Sequence, residues 1–236
     1  MKLLIITSLF LSLNVFAAAP KKQLSQQTKN ALTIKSVEVT DLTEQYQMYE
    51  NLFESSTDDA ILNTNPYGRA LNVADVVVDK VINIGQKVWN VVEKGRPIQN
   101  YSRMTGSALP QRALSWTQLQ NWSRPTSRVY SVSYKNLYGM EVVKLVYRVI
   151  MVYGGDVGGV GRYIGYTTVE PVSVYTAYMF TFNAKVSVQS VYNMGSSHNP
   201  VAGMLLNISW TVETVLQKSS ESRTYALDGN GGISVP

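Results

Sequence analysis

The residues of this chain that could do chemistry are few. The only histidine, His198, lies in the loop-like stretch Gly195-Ser196-Ser197-His198-Asn199-Pro200. One imidazole rules out multi-histidine metal sites, and a Ser/His pair without a nucleophile elbow lacks the context that acyl transfer requires. His198 therefore reads as a surface residue. Glu141, Glu170 and Glu213 fall on or beside predicted strands. Two carboxylates at a set separation can hydrolyse glycosides, but solvent-facing strand carboxylates are common, and a glycoside hydrolase-like enzyme ranks third among the functional readings.

Two glycine-rich runs also need interpretation. In 154–161 (GGDVGGVG) the glycines are followed by Arg162-Tyr163-Ile164-Gly165-Tyr166-Thr167, which continues as strand. A phosphate cradle needs a helix N-terminus at that point, so the run reads as a hairpin loop. Asp228-Gly229-Asn230-Gly231-Gly232 lacks the spaced carboxylates and terminal Glu of a calcium loop, and reads as a turn. No metal and no cofactor is expected.

The most ligand-like group is aromatic. Trp116 and Trp122, six residues apart between Pro110 and Pro125, are accompanied by Arg124 and Arg128. Indoles with polar neighbours can form a flat platform on which sugar rings or peptides stack. Trp116, Trp122, Arg124 and Arg128 are therefore the candidate ligand-binding residues, although the same indoles could simply plug the edge of a β core. Trp89 and Trp210 fall on apolar faces and are assigned to the core.

The elements that must position these groups are mostly strands. Val143, Leu145, Tyr147, Val149, Met151 and Tyr153 alternate with a second set beginning at Val142, a period of two. The same period runs from Val174 to Val188 and from Met204 through Trp210 to Leu216, and shorter strands are expected over 128–134 and 163–169. Before them, residues 72–96 predict an amphipathic helix: Asn72 can cap it, Val77, Val81, Ile84, Val88 and Val91 recur at helical spacing, and Gly95 and Pro97 stop it. Its many valines pull towards strand. Residues 18–71 form a polar and acidic N-terminal segment, with a flexible lead-in over 18–32, a short strand over 33–40 and a helix around 42–53. The expected fold is mainly β: an antiparallel sandwich-like domain over 97–236 with one or two helices packed against it.

Compartment is the most legible functional property. Lys2 precedes the apolar run 3–16 (LLIITSLFLSLNVF), and Val15 and Ala17 satisfy the small-residue rule for cleavage, so residues 1–17 read as a secretory signal peptide. The chain has no cysteine. A secreted domain without disulfides needs a large core, which about 220 residues can supply. Together these features point to a bacterial export product, periplasmic or extracellular. Charge is segregated: residues 36–79 carry nine acids against Arg69 alone, and residues 80–236 carry fifteen Lys or Arg against seven acids. The acidic stretch is either a solvated segment or docked on a basic face. The leading functional expectation is a non-enzymatic binding module for a glycan, a peptide or an envelope protein, with no nucleic-acid partner. A membrane-active or pore-forming β protein is the runner-up, since long amphipathic hairpins suit that role.

Overall fold

A computed structural model describes residues 24–47, 77–84, 88–94 and 105–236 of the chain, with side chains placed at 24–47, 80–83 and 105–236. Residues 1–17, read above as a signal peptide, and most of the acidic stretch lie outside the described residues. The described chain runs α1 (Gln26–Leu32), β1 (Ile34–Asp41), β2 (Val77–Ile84), β3 (Val88–Lys94), β4 (Gly106–Gln111), a 3₁₀ turn (Trp116–Gln118), β5 (Thr126–Asn136), β6 (Glu141–Val157), β7 (Val160–Thr176), β8 (Thr181–Asn193), β9 (Ala202–Glu213), β10 (Lys218–Asp228) and β11 (Ile233–Ser234).

These strands form two antiparallel sheets. The first has the order β1-β5-β6-β7-β4-β2 and the second β11-β10-β9-β8-β3, so the mainly β, sandwich-like architecture expected from the alternation is the observed one. Its core is the pleat written out in side chains. Tyr134, Val143, Leu145, Tyr147, Val149 and Met151 of the first sheet are buried, as are Phe182, Val186, Met204, Leu206, Ile208 and Val212 of the second. On β9 the residues between them (Leu205, Asn207, Ser209, Thr211) are only half-buried, the pattern of a strand with one face in the core.

The polar atoms of four core aromatics are partnered across the sheets. The hydroxyls of Tyr147 and Tyr225 share a 2.6 Å hydrogen bond from one sheet to the other, and Trp210 Nε1 donates to the Tyr134 hydroxyl at 2.9 Å. Tyr130 lies against Tyr225 with ring centroids 4.6 Å apart. A buried phenol left without a partner costs about 1–3 kcal/mol, so each bridge fixes which strands face each other.

Several local expectations are corrected. The helix over 72–96 is not formed: residues 77–84 and 88–94 are strands, β2 pairing with β4 and β3 with β8. β-branched side chains lose freedom in a helix and pack well on a pleated surface, and here each sheet offers that segment an edge. The run 174–188 is two strands separated by a turn at 177–180, where Phe180 N donates to Ala177 O at 3.1 Å. Leu216 belongs to the turn after β9 rather than to its core face. The lead-in over 18–32 contains α1, capped by Ser25, whose Oγ accepts from Thr28 N at 3.1 Å, and anchored by buried Leu32. Of the helix expected over 42–53, residues 43–47 are helical and the rest lies outside the described residues.

The hairpin loop expected over 154–161 is shorter than that: residues 154–157 end β6, 160–161 begin β7 and only Gly158-Gly159 turn, whereas the run 229–232 is a turn. The β6–β7 hairpin reverses at Gly158 and Gly159, whose φ values are 60° and 82°, a geometry two glycines adopt without steric cost. At the β10–β11 turn Asn230 N donates to Asp228 Oδ1 at 2.7 Å.

The register of β8 makes a direct test available. Phe182 is fully buried and Asn183 points to the opposite, half-buried face. Phe182→Ala is expected to destabilise the domain by about 3–5 kcal/mol and Asn183→Ala by a small fraction of that, read from denaturation midpoints. Equal shifts would show that the register is wrong.

Candidate functional site

The turns at 137–140, 177–180 and 214–217 lie at one end of the sandwich, and the 3₁₀ turn, the β6–β7 hairpin and the loop 194–201 lie at the other. The expected tryptophan site belongs to that second end. Ser115 and Gln118 form a capping box: Ser115 Oγ accepts from Thr117 N at 3.3 Å and Gln118 Oε1 from Ser115 N at 3.2 Å. This box positions Trp116. Trp116 and Trp122 do come together, but edge to face, with centroids 5.9 Å apart and planes at 76°.

Trp122 is set against the strands. A Cβ placed on Gly155 or Gly165 would come within 2.4 and 2.7 Å of its ring, so the indole occupies space that only glycine leaves open. Its Nε1 is buried without a hydrogen-bond partner. Asn121, at φ 60°, ties the segment to β6 through Nδ2 and Asp156 Oδ2 at 2.8 Å. Arg124 precedes β5 and Arg128 lies within it, both exposed. Among the described residues the indoles' ring contact is with each other, not with these arginines.

The other candidates stay separate. His198 Nδ1 lies 3.3 Å from the Oγ of its exposed neighbour Ser197. Glu141 meets Lys144 at 3.3 Å, Glu213 meets Lys218 at 3.9 Å, and Glu170 faces Arg148 in the β6–β7 register. Each carboxylate thus has its own basic neighbour on its own part of the sheets.

The concave site that does form was not anticipated. A cavity of about 320 Å³ opens between β1, at the edge of the first sheet, and β10 of the second, with Val37, Val39, Trp210, Glu221, Arg223 and Val235 among its walls. Its origin is a registry fact. Val37 and Val39 pair with Tyr134 and Val132, which places them on the core face, yet Val37 is 39% exposed. Opposite them, Glu221 and Arg223 alternate in step with Tyr225 and Leu227 and so share the inner face of β10. Charged side chains resist the desolvation that full closure would impose. The sandwich stays open here.

Arg223 is the electrostatic centre of this cleft. Its Nε is buried without a hydrogen-bond partner, and its charge reaches three phenols. Burial pushes the Tyr147 and Tyr225 hydroxyls well above the ordinary tyrosine range and raises that of Tyr130 too, and the nearby Arg223 guanidinium opposes the rise in each. Tyr134 is raised as well, first by burial, while hydrogen bonds from Ser219 and Trp210 pull against it. The arrangement offers a cation beside an aromatic floor and valine walls. Such a site can hold an anion attached to an apolar body.

No family model matches the chain, and it has no match among curated proteins or solved structures.

The phenol cluster has a pH consequence. An unfolded tyrosine ionises near 10.0, whereas these four hold their protons to higher pH in the folded state. Their contribution is fully present below pH 10 and lost as pH rises past it, because the unfolded state then binds fewer protons. Stability is expected to fall steeply above pH 10, with a group of tyrosines acquiring phenolate absorbance only as circular dichroism reports unfolding. A smooth titration of all tyrosines in a protein that stays folded would show the cluster to be solvent-accessible.

Proposed function

We propose that this chain is an exported bacterial binding module, without catalysis, whose partner is an extended acidic peptide segment seated along β1 with one carboxylate on Arg223. The observation that carries this reading is the buried, unpartnered Nε of Arg223 inside an open cleft. A guanidinium held partly out of water without an acceptor weakens the fold unless something else retains it. A ligand carboxylate supplies that acceptor with a charge-assisted, planar pairing.

β1 makes the peptide the fitting class of ligand. It is the edge strand of the first sheet among the described residues, with a largely exposed pattern. An added strand would gain main-chain hydrogen bonds along such an edge and would send every second side chain towards the cleft. Val37, Val39 and Val235 suit apolar neighbours, and Glu221 disfavours a second carboxylate beside the first. Lys35 and Glu38 on β1 also protect the edge against pairing with another copy. The signal-like N-terminus and absence of cysteine support placement in the periplasm or outside the cell.

The test is binding of an alternating Val/Thr peptide with one central Glu, compared with its Gln analogue, to the parent and to Arg223→Met. The parent is expected to prefer the Glu peptide, and Arg223→Met to lose about ten- to a hundred-fold in affinity with an unchanged or raised thermal midpoint. Equal binding of both peptides, or loss of binding only through unfolding, would contradict the reading.

A further inference from the structure

The molecule also has an apolar end. The three turns there read Leu137-Tyr138-Gly139-Met140, Ala177-Tyr178-Met179-Phe180 and Thr214-Val215-Leu216-Gln217, without a charged residue among them. Surface turns are ordinarily built from Gly, Pro, Asn, Asp and Ser. Here Leu137, Tyr138 and Met140 are exposed, Tyr178 is 90% exposed, and Val215 is 69% exposed.

The middle turn is the most telling. Met179 has φ 69°, a left-handed conformation that glycine adopts freely and a long side chain does not. Met179 is itself exposed, so no interior packing compensates for that strain. A residue that breaks the local rule without a structural return marks a functional surface.

The turns are held in fixed relation. Leu137 N donates to Thr33 O at 3.1 Å, Thr214 Oγ1 to Leu32 O at 3.2 Å, and Ile34 N to Gln217 Oε1 at 3.0 Å, so the α1–β1 junction joins the first turn to the third. Ala177 N donates to Val142 O at 2.7 Å and seats the second turn beside the first. The apolar tips are therefore presented by a rigid frame.

We propose that this end docks on the surface of an anionic lipid bilayer, independently of the cleft. Three separate projecting turns suit a soft surface that admits each tip better than a flat protein face. Tyrosines near the tips match the preference of amphipathic rings for the headgroup boundary. Charge is complementary: in α1 and the strand ends that border the turns, Lys29, Lys35, Lys135, Lys144, Lys185 and Lys218 stand against Glu38, Glu141, Glu213 and Glu221. Lys135, Lys144 and Lys218 rest in exposed ion pairs with Glu38, Glu141 and Glu213, pairs weak enough to re-form onto lipid phosphates.

The absence of native cysteine permits a site-specific test. The whole chain carrying Tyr178→Cys, labelled with a polarity-sensitive fluorophore, is mixed with phosphatidylglycerol/phosphatidylcholine vesicles. Emission should shift to the blue and become quenchable by lipid-borne quencher, while the same label at Ser197→Cys, at the other end, stays in water. Tyr178→Asp combined with Leu216→Asp should lower vesicle affinity about ten-fold or more at an unchanged thermal midpoint. A label at 178 that remains in water while vesicles bind overturns the proposal, because the contact then lies elsewhere. No vesicle binding at any composition overturns it too. A blue shift without lipid that grows with protein concentration overturns it in favour of self-association.

Discussion

Two hydrogen bonds between the sheets hold the logic of this molecule together. A sandwich core is ordinarily apolar, but here phenols meet inside it: Tyr147 with Tyr225, and the Trp210 indole with Tyr134. Each bridge satisfies a polar atom that would otherwise be buried at a cost of about 1–3 kcal/mol. Each can form only in one alignment of β5 and β6 over β9 and β10. The bridges thus convert a generic hydrophobic pairing, which would tolerate slippage, into a specific one.

The open cleft follows from the same layer. Tyr225 is the last residue on the inner face of β10, towards the 214–217 turn, that closes onto the first sheet; beyond it come Arg223 and Glu221, which resist burial. β1 faces them with two valines and no aromatic. The interior therefore grades from a closed tyrosine layer to an accessible wall within one strand, and Arg223 stands at the boundary, close enough to oppose the burial-driven rise of three phenols. Under the proposed function, binding and stability would be coupled at this point, since the group offered to a ligand anion also limits how far the sheets can close.

The sequence revealed those elements whose alternation is strong and apolar. The alternation of β6 over 142–153 and of β9 over 204–212 was legible, because their core-facing positions are Val, Leu, Tyr, Met, Ile and Trp; the strand ends at 154–157 and 213 were not. β10 was not, since its inner face reads Glu221, Arg223, Tyr225, Leu227 and a charged pair disguises the period. The turn at 177–180 was hidden by Tyr178 and Met179, where glycine or asparagine would have announced it. Residues 77–94 satisfied a helical spacing, but their valines found sheet edges, a choice that depends on partners distant in sequence. The proximity of Trp116 and Trp122 was foreseeable; the packing of Trp122 on Gly155 and Gly165 was not, because those glycines come from neighbouring strands. The cleft had one local signal, two opposite charges in step with core aromatics on one strand, and that signal acquires meaning only when β1 is placed opposite.

Whether the phenol bridge governs the pairing of the sheets is the central question, and a double-mutant cycle on Tyr147 and Tyr225 answers it most directly. Each single change to Phe leaves the other hydroxyl buried without its partner, whereas the double change removes both. The double variant is predicted to be more stable than the sum of the single losses implies, by about 1 kcal/mol or more. Strict additivity of the two substitutions would contradict the account.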